Sequence, residues 1–410
     1  MLQEVHVGHK SLADYQSMVV GSLVDEIREL AKELEGARVL HVNATSFGGG
    51  VAEILYTLVP LMRDVGLETD WRVIMAAQEF YEGTKLTHNS LQGDSVTLDQ
   101  AQRDIYETHN RIAAESLGSG YDFIVIHDPQ PLLIRNYAGD LGAKWIWRCH
   151  IDTSTPNQDT ADYLLPYVQQ YDTAIFSMEQ YVFRGLDIPL RIFVPAIDPL
   201  STKNMALSPE DAEYVVSQFG IEGDYPLMLQ ISRFDPWKDP LGVIDAYRLV
   251  KQDYPDLRLA LVGSMATDDP EGWSFFTHTV EHAGEDSDIL ILSNLNNVGN
   301  LEVNAFQARA DIIVQKSTRE GFGLTVSEAL WKAKPTVGGN VGGIPVQIIN
   351  GKTGFLVESV EQCADRCRWI LDNPEDAKVM GRTGKEHVRA NFLTPRLLRD
   401  YLKLFNDLRG

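Results

Sequence analysis

Cysteine is scarce in this chain of 410 residues, which has three, Cys149, Cys363 and Cys367. Three cysteines at these spacings fit neither a disulfide framework nor a structural zinc site. Free thiols are typical of a reducing compartment. We therefore expect a cytoplasmic protein whose fold depends on packing rather than on crosslinks.

Positive charge is also in short supply, since 36 Lys and Arg stand against 58 Asp and Glu and give a net charge of −22. Such a balance disfavours nucleic acid and anionic membrane as partners. An anionic small molecule would have to be bound by a few cations gathered at one place. Arg and Lys residues beside glycine-rich turns are therefore the first candidates for a binding site.

Long apolar runs are missing as well. No stretch of about 18 or more apolar residues occurs, so no membrane span is predicted. The N-terminus has no basic segment followed by an apolar one, and we therefore expect no signal peptide. With 44% hydrophobic residues there is ample material for packed cores. At roughly 100–200 residues per domain, the length predicts two domains.

Short apolar strands alternate with helical stretches along the chain. The first 35 residues are predicted to be largely helical, and residues 198–210 form a predicted linker. The predicted strands are 37–43, 71–75, 121–127, 144–150, 173–176 and 191–194 before the linker, and 226–232, 257–263, 289–292, 312–315 and 335–338 after it. This alternation predicts two doubly wound α/β domains, 1–200 and 201–392. Ligands of such folds bind at the carboxyl ends of the strands, and the crevice between two domains is the default site.

The segment from Ser317 to Trp331 carries the sharpest local signal. Glu320 and Glu328 stand eight positions apart, and Gly321, Phe322, Gly323 and Leu324 follow the first of them. A strand precedes this turn and a helix follows, so free N–H groups at the helix start can face an anion. The glutamates can accept hydrogen bonds from hydroxyl groups. Taken alone, the segment fits an ordinary helix start equally well.

Arg233 and Lys238 place two cations in one loop between a strand and a helix. Arginine can grip a phosphate through two parallel hydrogen bonds, while lysine acts as a point charge. Two such cations suit a diphosphate. A solvated loop is the competing interpretation when this segment is considered by itself.

Three further strand ends carry candidate residues. Gly48, Gly49 and Gly50 form a strand–glycine–helix junction, where bare backbone can meet a ligand or simply make a tight turn. The other two strand ends hold polar clusters, His127 and Asp128 in one, and Arg148, His150 and Asp152 in the other. For the loops 265–273 and 338–345, two interpretations remain, contact with a nucleoside or a plain surface turn. Acids in the former could attract a divalent ion.

Taken together and in this order, the motifs resemble the retaining glycosyltransferases of the GT-B fold, a large family that includes the sucrose synthases. Arg233 and Lys238 match the family's R-x4-K element, and Glu320 and Glu328 match its E-x7-E element. The glycine loop and His150 match two further family features. The resemblance covers most of the chain.

A closer likeness lies in the strings 41–55, 127–131, 145–152, 232–238 and 268–273, which resemble the trehalose glycosyltransferring synthases and the related trehalose phosphorylases. The resemblance implies reversible transfer of glucose from ADP- or UDP-glucose to free glucose, which makes α,α-trehalose with retention. It also implies that the last helix, 393–410, packs back on the first domain. A homodimer is a further family expectation.

The same resemblance implies a role for each candidate. Arg233 and Lys238 would neutralise the diphosphate, Glu320 would hold a donor hydroxyl, and Glu328 would take the ribose hydroxyls. His150 would fix the donor's outer hydroxyl. Further donor contacts would come from Gly48, Gly49, Gly50, Gly321, Phe322, Gly323 and Leu324, and acceptor contacts from Asp128, Arg148 and Asp152. No carboxylate nucleophile is nominated, since in this family the departing phosphate can take the acceptor proton. No cofactor would be obligatory, although Mg²⁺ is possible.

Two alternatives remain open. One is a phosphorylase, or a transferase with another acceptor, in which the nucleoside pocket would be idle. The other is a non-catalytic sensor of sugar or nucleotide, which need not keep both diphosphate cations. A dinucleotide-dependent oxidoreductase is rejected, because the three glycines lack the required G-x-G-x-x-G spacing.

Overall fold

The computed structural model describes residues 1–47, 49–265 and 270–409 of the chain. The described chain divides into two compact units, one made of residues 1–196 and 394–410 and the other of residues 197–393. Each unit is built around its own sheet. Together they are two Rossmann-like α/β units, as predicted.

The first unit contains a seven-stranded sheet. Its strands are β1 (Leu2–Glu4), β2 (Arg38–Asn43), β3 (Glu68–Ile74), β4 (Phe123–His127), β5 (Lys144–Arg148), β6 (Thr173–Phe176) and β7 (Leu190–Ile192). Its helices up to residue 196 are α1 (Leu23–Lys32), α2 (Gly50–Asp64), α3 (Gln78–Leu91), α4 (Gln100–Glu115), α5 (Ile134–Tyr137) and α6 (Gln158–Val168).

The strand order of this sheet is β1-β3-β2-β4-β5-β6-β7, with all neighbours parallel except β1 and β3. The chain leaves β2 for β3 on one side and later returns to β4 on the other. The switch point of the sheet therefore lies between β2 and β4, where doubly wound folds bind ligands. The glycine loop follows β2, and His127 ends β4.

The second unit contains a six-stranded parallel sheet. Its strands are β8 (Leu227–Ile231), β9 (Arg258–Gly263), β10 (Ile289–Ser293), β11 (Ile312–Gln315), β12 (Thr336–Gly339) and β13 (Phe355–Val357). Its helices are α7 (Pro209–Ser217), α8 (Pro240–Lys251), α9 (Pro270–Ala283), α10 (Asn300–Arg309), α11 (Leu324–Trp331), α12 (Ile344–Gln347), α13 (Val360–Asp372) and α14 (Pro374–Asn391).

The order of the second sheet is β10-β9-β8-β11-β12-β13, so the direction of the chain reverses between β8 and β11. This is the strand order of the dinucleotide-binding folds. The loop with Arg233 and Lys238 follows β8, and the loop with Glu320 follows β11. The topology alone thus brings the two strongest sequence signals to one switch point.

The central strands of both sheets are buried on their two faces, which explains why they read as continuous apolar runs. All five residues of β4 and of β8 are buried, for example. The last helix, α15 (Thr394–Arg409), belongs to the first unit and packs against α1 and α2. Its Phe405 ring stacks on Phe123 of β4 with centroids 4.4 Å apart.

Every strand predicted from the sequence has a counterpart, with small shifts at the ends. The prediction for the first 35 residues was wrong in part, because β1 and a short 3-10 turn precede α1 and only Leu23–Lys32 is helical. The predicted linker 198–210 also ends early, since Pro209 begins α7 behind an N-cap at Ser208.

Cys149, Cys363 and Cys367 are all free and buried, so they fill core volume rather than crosslink. Within the described ranges, the helices are too short or too polar for a membrane crossing.

Candidate active site

The central contact of the second unit joins Lys238 and Glu320. Lys238 Nζ lies 2.7 Å from Oε2 of Glu320, and both side chains are largely buried. The hydroxyl of Ser317 donates to the same carboxylate oxygen over 3.2 Å. A cation and an anion therefore sit together at the carboxyl ends of β8 and β11.

Backbone contacts hold the two loops in register. The side-chain amide of Gln230 donates to the carbonyl of Lys238 over 2.7 Å, and the N–H of Thr318 donates to the carbonyl of Trp237 over 2.8 Å. Asp239 has a positive φ of 50° and caps α8 through the N–H of Gly242. Lys316 pairs with the other oxygen of Asp239. Lys238 is thereby fixed from both flanking strands.

Gly323 makes the turn that opens α11. Its φ of +81° lies in the left-handed region, and a Cβ there would come within 3.1 Å of Cγ of Glu320. Gly343 permits a second close approach, since a Cβ would lie 2.7 Å from Cα of Phe322. No side chain among the described residues caps the N-terminus of α11. The turn from Gly321 to Leu324 therefore presents backbone at the switch point, as an anion or sugar site requires.

Arg233 lies in the same loop as Lys238 but is held far more loosely. Its side chain is 65% exposed, and its ion pair with Asp235 spans 3.5 Å. Exposed ion pairs of this length contribute little to stability. The guanidinium is thus able to reorient toward a ligand at small cost.

Glu328 lies on α11 and is 1% exposed. One carboxylate oxygen pairs with Lys203 over 3.2 Å. The other, Oε2, is buried and finds no hydrogen-bond partner within the described ranges. A buried acceptor without a donor costs free energy and calls for an explanation, such as a ligand that supplies the donor.

Lys332 is the C-cap residue of α11, one turn after Glu328, and is half-buried. Its Nζ donates to Oδ1 of Asn204 over 3.1 Å and to the carbonyl of Glu328 over 3.4 Å. Burial lowers the pKa of Lys332 to about 7, although the nearby Glu328 raises it. Neither Lys203 nor Lys332 was predicted as a site residue, because neither stands in a recognisable motif.

Three histidines form a hydrogen-bonded row in the first unit. Nδ1 of His41 lies 2.9 Å from Nε2 of His127, and Nδ1 of His127 lies 3.0 Å from Nε2 of His150. His41 lies in β2, His127 is the last residue of β4, and His150 is the second residue after β5. These three strands are neighbours in the sheet. His41 was overlooked as a site residue because it lies inside a strand. The signal was a histidine near the end of each of three adjacent strands.

Burial keeps these rings neutral. It lowers the pKa of His41 to about 3 and holds the pKa values of His127 and His150 well below their usual range. Repulsion from the Arg148 guanidinium acts in the same direction on His127 and His150. Neutral imidazoles can both donate and accept, which suits contact with sugar hydroxyls.

Asp128 directly follows β4 and has a positive φ of 62°. Its Oδ1 accepts the backbone N–H of His150 over 2.7 Å. Burial raises the pKa of Asp128 to about 7, while that hydrogen bond and the nearby Arg148 oppose the shift. The residue therefore positions His150, and its carboxyl group can change charge near neutral pH.

The other two predicted acceptor residues are buried as well. Arg148 is 1% exposed and donates through Nη2 to the hydroxyl of Ser177 and the carbonyl of Phe193. Oδ1 of Asp152 accepts from the N–H and the hydroxyl of Ser154. Nη1 of Arg148 is buried without a hydrogen-bond partner in the described chain, and acceptor contact through Arg148 and Asp152 stays a prediction.

The glycine loop is described in part. Gly49 has extended backbone and is the N-cap of α2, which begins at Gly50 without a side-chain cap among the described residues. Gly48 lies outside the described residues, and so do residues 266–269 of the loop 265–273. In the remaining chain, no group of three or more His, Cys, Asp or Glu is arranged to hold a metal ion.

Comparison with known proteins identifies the class. Residues 213–387 match the family model for glycosyl transferases group 1. The structure superposes on a sucrose-phosphate synthase from Thermosynechococcus elongatus with a TM-score of 0.72 at 17% identity, covering 91% of this chain and 99% of that one. The chain is therefore a glycosyltransferase with the GT-B fold.

The relatives narrow this class to a family. Residues 41–183 match the model for the N-terminal domain of trehalose synthase. A trehalose synthase from Rubrobacter xylanophilus is 58% identical over the full length of both chains, and one from Pyrococcus horikoshii is 43% identical over 100% of this chain and 99% of that protein. The chain belongs to the trehalose synthase family. A trehalose phosphorylase from Pleurotus pulmonarius is a more distant relative, 28% identical over 84% of this chain and 54% of its own length.

Proposed function

We propose that the protein transfers glucose from a nucleoside diphosphate glucose to free glucose, reversibly and with retention, to form α,α-trehalose. The trehalose synthases among its relatives support the product. The choice of a nucleotide donor is supported by the residues at the switch point of the second sheet. We infer each role from what those side chains contact.

The main support for a nucleotide donor is Oε2 of Glu328, which has no hydrogen-bond partner among the described residues. A buried carboxylate oxygen with no partner in the described chain is an acceptor for a hydroxyl that arrives with a ligand. A ribose supplies two neighbouring hydroxyls. A phosphorylase would bind inorganic phosphate and leave this acceptor unused, so Glu328 favours the nucleotide over phosphate.

The two cations of the loop after β8 support the binding of a diphosphate. Lys238 is fixed by Glu320, whereas Arg233 is exposed and free to turn. When the glycosidic bond breaks, negative charge develops on the departing diphosphate, and preorganised cations stabilise it. Lys238 is the preorganised cation and Arg233 the adaptable one.

The donor glucose is assigned to Glu320 and the backbone from Gly321 to Leu324. The carboxylate of Glu320 can accept from a sugar hydroxyl in addition to its contact with Lys238, because each carboxylate oxygen has two lone pairs. Glu320 is then a binding group rather than a nucleophile. With no carboxylate nucleophile assigned, the bond between the anomeric carbon and the diphosphate breaks, and the acceptor oxygen bonds to that carbon on the same face while its proton passes to the departing phosphate. Attack on the face that the diphosphate leaves gives retention.

His150 is assigned to an outer hydroxyl of the donor glucose. Asp128 holds its backbone, and the acceptor is placed on this side of the site. We also propose that the donor approaches the backbone closely at Gly49 and Gly50. Gly48 is proposed for the same role because it belongs to the same run of three glycines.

The test is to incubate the protein with glucose and either ADP-glucose or UDP-glucose, and to measure trehalose by chromatography. The anomeric configuration of the product, read by NMR, checks retention. The inactive control is Lys238→Met, and Lys378→Met, an exposed lysine of α14, controls for loss of a lysine as such. No trehalose from either donor would contradict the proposal.

The reverse reaction separates the two candidate activities. Trehalose is supplied with ADP, UDP or phosphate, and the activated sugar is identified. We expect a nucleoside diphosphate glucose and no glucose 1-phosphate. Glucose 1-phosphate as the main product would establish a phosphorylase instead.

Two further expectations accompany the proposal. Activity should persist in EDTA, because none of the proposed steps uses a metal ion. A requirement for Mg²⁺ would show as complete loss of activity with recovery on adding the ion.

A homodimer is proposed from the family resemblance, and the molar mass from light scattering tests it.

A further inference from the structure

The row of three histidines has a direction, because each neutral ring has one N–H and one bare nitrogen. The two hydrogen bonds, His41 to His127 and His127 to His150, each need one proton. Three neutral rings hold three protons, so one proton is left over at an end of the row. It is on Nε2 of His41 or on Nδ1 of His150. The tautomers of all three rings are therefore linked.

The two ends have different surroundings. Nε2 of His41 is buried and has no hydrogen-bond partner within the described ranges. His150, by contrast, is the member of the row that keeps some exposure. A buried N–H without an acceptor is rarer in proteins than a buried acceptor without a donor. The leftover proton is thus better placed on His150.

We propose that His41 and His127 fix His150 in the tautomer with its proton on Nδ1, so that His150 donates a hydrogen bond to a hydroxyl of the glucosyl donor. His41 donates through Nδ1 to His127, and His127 donates through Nδ1 to His150. His41 and His127 are positioning residues, and His150 is the group that touches the sugar. The contact with sugar rests on the proposed function, whereas the order of the tautomers does not.

Burial supports this arrangement, since it keeps all three rings from taking up a second proton at neutral pH. The backbone N–H of His150 is held separately by Asp128. The row therefore controls only which ring nitrogen carries the proton, and not the course of the main chain.

The first test is ¹⁵N NMR of the full chain labelled at histidine, without any substrate. A protonated and a bare ring nitrogen resonate far apart, and the signals that disappear in His41→Asn, His127→Asn and His150→Asn assign the rings. We expect all three to carry the proton on Nδ1. Protons on Nε2, a mixture, or a charged ring at neutral pH would overturn the proposal.

The second test uses a pair of variants at His127. His127→Leu removes the bridge, whereas His127→Asn keeps an amide at the position of Nδ1 that can still donate to His150. We expect His127→Leu to lower kcat/KM for the glucosyl donor about 10-fold, the effect of one uncharged hydrogen bond, and His127→Asn to restore most of it. The tautomer of His150 in each variant is read by the same NMR experiment.

Deoxyglucose donors, each lacking one hydroxyl, distinguish positioning from damage to the fold. With the donor that lacks the hydroxyl bound by His150, the wild type and His127→Leu should react at the same rate. An equal loss with every donor would overturn the positioning role. Absence of turnover in the wild type, with the expected tautomers intact, would instead contradict the proposed function and leave the order of the tautomers standing.

Discussion

Lys238 and Glu320 stand on either side of the switch point of the second sheet, with Nζ and Oε2 2.7 Å apart. One follows β8 and the other β11, which are neighbours in the sheet although 82 residues separate them. The pair is an ion pair in the free protein, yet each member has a separate proposed task. We propose that Lys238 stabilises developing negative charge and that Glu320 binds a sugar hydroxyl.

Lys238→Met should lower kcat by about 100-fold or more, because it removes a preorganised charge from the transition state. Glu320→Gln keeps the shape of the side chain and should lower kcat/KM about 10-fold or more, since the amide can offer only one acceptor oxygen. Steady-state kinetics with the nucleotide donor measures both. Wild-type turnover in Glu320→Gln would remove its assigned role, and Lys378→Met provides the neutral comparison.

The fold was largely predictable because parallel strands buried on both faces read as apolar runs. The sequence therefore located β4 and β8 well. It missed β1, which has three residues and only edge contacts, and β13, which is equally short. Short edge strands depend on partners elsewhere in the chain rather than on a local pattern, and those partners are visible only in the structure.

Arg233→Lys should separate the two cations of the loop. A lysine keeps the charge but loses the planar, two-pronged grip on phosphate. We expect KM for the nucleotide donor to rise about 10-fold while KM for glucose stays unchanged, because Arg233 is assigned to the diphosphate alone. Isothermal titration with ADP and with UDP provides an independent measure. Arg111→Ala, an exposed arginine of α4, serves as the control. Equal changes in both KM values would argue against this assignment.

Glu328→Gln should weaken nucleotide binding through the ribose alone. The amide replaces one acceptor oxygen by a donor and also weakens the pairing with Lys203. We expect the Kd of ADP to rise about 10-fold, while the Kd of 2′- or 3′-deoxy-ADP changes far less. The cycle of two proteins and two ligands isolates that one contact. If the deoxy ligand loses as much affinity as ADP, the effect is structural and the ribose assignment fails.

Candidate site residues could be predicted only where a residue belonged to a motif. Arg233, Lys238, Glu320 and Glu328 could be found because strand, turn and helix signals surround them. The open oxygen of Glu328 and the buried position of Arg148 depend on packing across the sheet. His41 illustrates the same point, since a histidine within an apolar run reads as a buried core residue until the neighbouring strands are known.

Asp128→Asn should make stability less dependent on pH. Burial raises the pKa of Asp128 from 3.8 to about 7, so between these values the folded protein binds more protons than the unfolded chain. Stability therefore falls as pH rises through that window and levels off above pH 7. At about 1.4 kcal/mol per pKa unit, the contribution is at most about 4 kcal/mol.

Asparagine stays neutral at every pH, and its oxygen still accepts the N–H of His150. It also tolerates the positive φ at this position. The free energy of unfolding of Asp128→Asn minus that of wild type should therefore be larger at pH 8 than at pH 5. Urea unfolding of both proteins at both pH values measures this difference. Asp140→Asn, an exposed aspartate, should show no such difference. A stability gap that is independent of pH would mean that Asp128 does not titrate in this window. Because unfolding requires no substrate, this outcome is separate from any role of Asp128 in binding the acceptor.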